Sequence, residues 1–124
     1  MMKVLAADGI SLKGIELLKK EFDVDVKDKL PAEELLEIIP EYDALMVRSA
    51  SKVTAEVIAR AKNLKIIGRA GVGVDNIDIP AATAKGIIVI NSPGGNTIAA
   101  TEHTMAMMLS MSRNIPIANE TMQK

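Results

Sequence analysis

The sequence predicts an α/β protein: a five-stranded parallel sheet with covering helices, then a long helix that such a sheet does not require. Three observations carry this expectation. Short apolar runs alternate with helix-period stretches, five such runs occur, and the one strong break, Pro93-Gly94-Gly95, is followed only by a helical pattern. The chain is therefore read as a sheet domain over residues 1–93, with a hinge and long crossover helix over 94–124.

The first strand is KVLAA, residues 3–7, and the helix after it takes Ser11 as N-cap with Ile15, Leu17 and Leu18 on its buried side. FDVDV, residues 22–26, alternates apolar and acidic positions, so one face meets water and the strand belongs at an edge. In LPAEELLEIIP, Pro31 opens a helix, Glu33 and Glu34 sit in the first turn where the dipole favours them, and Pro40 ends it. DALMV, residues 43–47, is an unbroken apolar run and hence a central strand. Thr54 caps the next helix, LKIIG at 64–68 forms the fourth strand, a short helix stops at Gly86, and IIVI at 87–90 forms the fifth. From Thr97 a helix of roughly five turns is predicted at 3.6 residues per turn. Ile98, Thr101, Met105, Met108, Leu109 and Ser112 fall near one stripe of it. Pro116 kinks or ends this helix, and residues 117–124 can resume it.

Composition narrows the function. A chain of 124 residues suits one compact domain with a real core. The formal net charge is −1 and the basic residues are scattered, so neither a nucleic-acid face nor a polybasic membrane anchor is expected. One Tyr and one Phe leave no base-stacking platform. The absence of cysteine removes disulfides, thiolate metal sites and a cysteine nucleophile, and fits a reducing cytoplasm. No signal-peptide pattern opens the chain, and no apolar run reaches the roughly 18 residues of a membrane span. A single histidine, His103, offers no metal-ligand spacing and no triad partner, and a lone helical histidine is more often packing or surface.

In an open parallel sheet, ligands bind beyond the carboxyl ends of the strands, where this sequence places Asp8, Arg48, Arg69 and Asn91. Two arginines ending neighbouring central strands outline an anion site. Ser49, Ser51 and Lys52 follow the first, and Gly71, Val72 and Gly73 follow the second, whose amides can approach a carboxylate or phosphate closely. Charge-assisted hydrogen bonds from such arginines contribute about 1.5–3 kcal/mol each. Gly71 and Gly73 admit a second explanation, a tight turn that needs positive φ. A dinucleotide fingerprint fails, because Asn76 stands where the third glycine belongs and no acidic residue lies near position 91; no Gly-Lys-Ser/Thr loop exists either.

The segments MVRSASKVTAEVI, LKIIGRAGVGVDNIDIPAATAKGIIVINSPGGNT and TEHTMAMMLSMSRNIP resemble, in order and spacing, the N-terminal region of the D-isomer-specific 2-hydroxyacid dehydrogenases, and within them the branch that oxidises 3-phosphoglycerate. The resemblance implies a flavodoxin-like substrate domain whose long helix leads to an NAD-binding Rossmann domain. It implies that Arg48, Ser49, Lys52 and Arg69 hold the anionic groups of 3-phosphoglycerate, that Gly71, Val72 and Gly73 cradle the carboxylate, and that Asn96 orients the substrate. Val72 and Thr104 fall where the family's NAD approaches this domain. The catalytic residues are expected beyond residue 124, so the chain alone is expected to be inactive, a fragment of a longer enzyme forming a homodimer or higher homo-oligomer. A relative acting on glyoxylate, hydroxypyruvate or lactate is the alternative. A signalling receiver would need an aspartate where Arg48 stands, and a structural oligomerisation module stays open.

Overall fold

The structure, a computed structural model, describes residues 1–124. Five parallel strands form one sheet: β1 (Lys3–Ala7), β2 (Asp23–Lys27), β3 (Ala44–Val47), β4 (Ile66–Arg69) and β5 (Ile88–Ile90), in the order β2-β1-β3-β4-β5. The alternating strand is indeed at an edge and the unbroken run at the centre. Between strands lie α1 (Leu12–Leu18), α2 (Ala32–Ile38), α3 (Ala55–Arg60) and α4 (Ile79–Ala84). The Ser11 hydroxyl accepts from the Gly14 amide and the Thr54 hydroxyl from the Val57 amide, so both caps act as the sequence suggests.

The two-residue period of β1 sorts the core onto two faces. Leu5 and Ala7 join Leu45, Val47 and Ile67 beneath α2, α3 and α4, while Val4 and Ala6 join Ala44, Val24 and Ile15 beneath α1. Full burial of side chains such as Leu45 and Ile67 contributes about 1.5–3 kcal/mol each. The second face is less covered: Met46, Ile66, Gly68 and Ile90 line an apolar groove of about 290 Å³.

Three local expectations need correction. Leu17 is exposed, because the helix turns only Ile15 fully inward and Leu18 partly. Pro31 is the N-cap and not the first helical residue. Pro40 does not end α2; the helix stops at Ile38, and Pro40 sits early in a 3₁₀ turn, Ile39–Glu41, where its missing N–H costs nothing.

Contacts divide the backbone into two compact units, Met1–Pro93 and Gly94–Lys124. The second holds α5 (Thr97–Ser112) and α6 (Ile115–Met122). Arg113 closes α5 and Asn114 adopts φ 48, so the break precedes Pro116, which occupies the first turn of α6. Met105, Met107, Met108, Leu109 and Met111 are all exposed on α5.

Candidate functional site

The carboxyl ends of β1, β3, β4 and β5 converge through three loops. Val53 and Ile77 form an isolated parallel bridge, with the Val53 amide donating to Asn76 O at 2.8 Å and the Asp78 amide to Val53 O at 2.9 Å. This bridge ties the loop after β3 to the loop after β4.

The glycine loop that follows Arg69 turns its carbonyls inward. Gly71 O accepts from the Ser92 amide at 3.0 Å, Val72 O from Asn91 Nδ2 at 2.7 Å, and Gly73 O from Arg69 Nη1. Arg69 Nε also points at Arg48 O, at 3.4 Å. With three successive carbonyls occupied, the amides of Val72, Gly73 and Val74 have no partner within the protein. Unpaired main-chain N–H groups in sequence are available to an anion. Neither Gly71 nor Gly73 has positive φ, so the tight-turn explanation is wrong. Their lack of a side chain serves clearance: a Cβ at Gly71 would lie 3.0 Å from Arg69 Nη1, and one at Gly73 would lie 2.9 Å from Asp75 Oδ1.

Arg48 behaves differently from Arg69. Its side chain is exposed and makes no hydrogen bond or ion pair, and its charge acts on the Asp8 carboxylate only at longer range. Ser49 and Lys52 are exposed beside it and share an open hollow of about 480 Å³ with Asp75 and Asn76. Arg48, Ser49 and Lys52 thus lie in one loop and Gly71, Val72 and Gly73 in the other, with Arg69 at the end of β4 leading into it. Asn96 and Thr104 belong to the second unit, Asn96 as the N-cap residue of α5 without a capping bond, and Thr104 donating to Ala100 O at 2.7 Å.

Two residues matter more than their sequence signal suggests. Asp8, at φ 65, accepts from the Arg48 amide, the Ser51 amide and the Ser51 hydroxyl. Partial burial opposes its ionisation, but these hydrogen bonds and the Arg48 charge prevail and hold the carboxyl below its ordinary range. Asn76, visible in the sequence only as a misplaced third glycine, donates to Arg48 O and Ser51 O.

A five-stranded parallel sheet in the order β2-β1-β3-β4-β5, with two loops pinned to one another at its carboxyl edge, is an open α/β domain. The model of the D-isomer specific 2-hydroxyacid dehydrogenase catalytic domain matches residues 4–124, and the chain belongs to that family. It is 57% identical, over all of its length, to a D-3-phosphoglycerate dehydrogenase of Synechocystis sp., of which it covers 22%. A D-3-phosphoglycerate dehydrogenase of Archaeoglobus fulgidus is 55% identical over 99% of this chain and 24% of its own. The NAD+-bound 3-phosphoglycerate dehydrogenase of Entamoeba histolytica superposes with a TM-score of 0.78 at 33% identity, covering 88% of this chain and 38% of that one. The chain thus spans less than a quarter of the length of these two curated relatives.

Proposed function

We propose that this chain is the substrate-binding part of an NAD-dependent D-3-phosphoglycerate dehydrogenase, which oxidises 3-phosphoglycerate to 3-phosphohydroxypyruvate at the entry to serine biosynthesis. The observation that carries this is the pairing of the unpartnered amides of Val72 and Gly73 with the free guanidinium of Arg48. The amides receive the carboxylate. Arg48, Ser49 and Lys52 supply the positive and polar surface that a second, phosphate group requires.

Arg69 acts mainly on the cradle itself, by fixing Gly73 O and with it the course of the loop that carries the unpaired N–H groups. Residues 71–76 do not fit a dinucleotide pyrophosphate. The Asp78 carboxylate already caps α4, accepting from the Ala81 amide at 2.9 Å, and puts a negative charge at the helix start where a pyrophosphate would need an open positive end. The NAD cradle and the proton-transferring groups are therefore assigned to the remainder of the enzyme, and Val72 and Thr104 to its cofactor-facing border.

The domain assignment follows: residues 1–93 bind substrate, and 94–124 connect to the cofactor domain. The exposed methionines of α5 support a role in homo-oligomer formation. No helix is long and apolar enough to cross a membrane. Together with the lack of cysteine, a cytoplasmic setting is proposed.

Isothermal titration with 3-phosphoglycerate, with lactate as control, tests the reading. Phosphate-dependent binding that is lost in Arg48→Ala supports it. Preference for lactate would move the chain to another 2-hydroxyacid branch.

A further inference from the structure

The 48–51 loop is held by two side chains that come from outside it. The Asp8 carboxylate takes the N–H groups at its two ends: Arg48 N at 3.0 Å and Ser51 N at 2.8 Å, with the Ser51 hydroxyl at 2.6 Å. The Asn76 carboxamide takes the C=O groups at the same two ends, Arg48 O and Ser51 O, each at 2.7 Å. One acceptor and one donor, from β1 and from the loop after β4, thus close on both termini of a short segment.

Each clamp carries a cost that ordinary loop filling would not require. Asp8 sits at φ 65, a left-handed conformation that is strained for a residue with a Cβ and persists where the surroundings over-determine it. Asn76 leaves its Oδ1 buried without a donor, because reversing the amide would set that oxygen against two carbonyl oxygens. Both penalties are met at the same segment, and the segment begins with the free Arg48 side chain.

We propose that Asp8 and Asn76 are positioning residues for anion recognition: they fix the main chain of the 48–51 loop and so aim the Arg48 guanidinium at the ligand held by the Val72 and Gly73 amides. The inference rests on the reading of these loops as the substrate site. Neither residue touches the anion. Asp8 holds the loop through its amides and Asn76 through its carbonyls, so loss of either lets the loop pivot about the other.

The test uses Asp8→Ala, which removes the acceptor of all three donors, and Asn76→Asp, which turns a carboxylate towards carbonyls. Ser51→Ala is the milder third variant, removing a single donor to Asp8. Ile39→Val serves as a control that loosens the core elsewhere. Well below the unfolding temperature, 3-phosphoglycerate affinity is expected to fall about tenfold or more in the first two variants and less in the third. Exchange of the Arg48 and Ser51 amides is expected to accelerate in step. The control, though less stable, keeps both properties. Wild-type affinity in folded Asp8→Ala or in Ser51→Ala, or unchanged amide exchange, would overturn the proposal. No uptake by the unmodified chain would instead remove the functional reading, and the exchange data would still decide whether the two side chains fix the loop.

Discussion

Arg69 donates through its guanidinium to the carbonyl of Gly73, four residues further along, and reaches the carbonyl of Arg48 with its Nε. The side chain is a brace between two loops. A lysine in its place keeps the charge but loses the fork that spans both carbonyls. Arg69→Lys is expected to lower 3-phosphoglycerate affinity about tenfold, or about 1.4 kcal/mol, with little change in unfolding midpoint. Titration beside a melting curve decides; unchanged affinity would show that charge alone suffices.

Two glycines separate binding from stability. Gly86 has φ +70 with open space around it, so Gly86→Ala costs about 1 kcal/mol of backbone strain and leaves anion affinity intact. Gly71→Ala instead forces a methyl to 3.0 Å from Arg69 Nη1 and displaces the brace. It should weaken binding more than folding. Equal effects of the two changes on both properties would refute this division.

Lys85 caps a helix that is not its own. Its ammonium donates to Ile58 O at 2.6 Å, Ala59 O at 2.8 Å and Ala61 O at 2.9 Å, satisfying carbonyls at the end of α3. Lys85→Met, which keeps the aliphatic stem, is expected to destabilise the chain by about 1–3 kcal/mol. Urea unfolding measures it, and a loss below about 0.5 kcal/mol, the range of ordinary surface changes, would mean that water replaces the lysine freely.

Acid stability follows from three carboxylates held below their ordinary range. In Asp8 the hydrogen bonds from Ser51 and Arg48 and the Arg48 charge outweigh partial burial; Asp25 is lowered first by the Tyr42 hydroxyl; and Asp43 is lowered first by the Lys3 amide. A depressed folded value means that the stabilisation is complete above the unfolded pKa, about 3.9, and is lost as pH falls through the lower folded values. Tyr42 works at the other limit. Burial, and then its bond to Asp25, raise its pKa, so its contribution holds below about pH 10 and declines as pH rises past that value. Urea midpoints should form a plateau between these limits, and Asp25→Asn should soften both edges. A fall already under way at pH 6 would contradict this assignment.

The α5 and α6 unit should self-associate. Its exposed Met105, Met108, Leu109 and Met111 form apolar surface on a helix with no buried residue of its own. Light scattering is expected to show a mass that rises with concentration, and Met108→Glu is expected to suppress the rise. A constant monomeric mass would count against the oligomer role.

Strand and helix positions were readable because each element satisfies one local rule: the alternation of β2, the apolar run of β3, the caps at Ser11 and Thr54. The site was readable as a neighbourhood, since strand ends in a parallel sheet must meet. Its internal wiring was not. Asp8 meets residues 40 and 43 positions away, and the bonds of Asn76 span 28 and 25. No periodicity encodes such contacts. Likewise, the reason for Gly71 is the path of a neighbouring arginine, and for Gly73 the carboxylate of Asp75, and not their own backbone angles.

On the proposed reading, the cradle meets its ligand through peptide N–H groups, which every residue except proline supplies. The side chain of Val72 is exposed and contributes none of these donors, so a substitution there leaves the N–H groups of the loop in place. The chemical demand of such a loop falls on its glycines and its bracing arginine, beside the contact surface and in the residues that shape it.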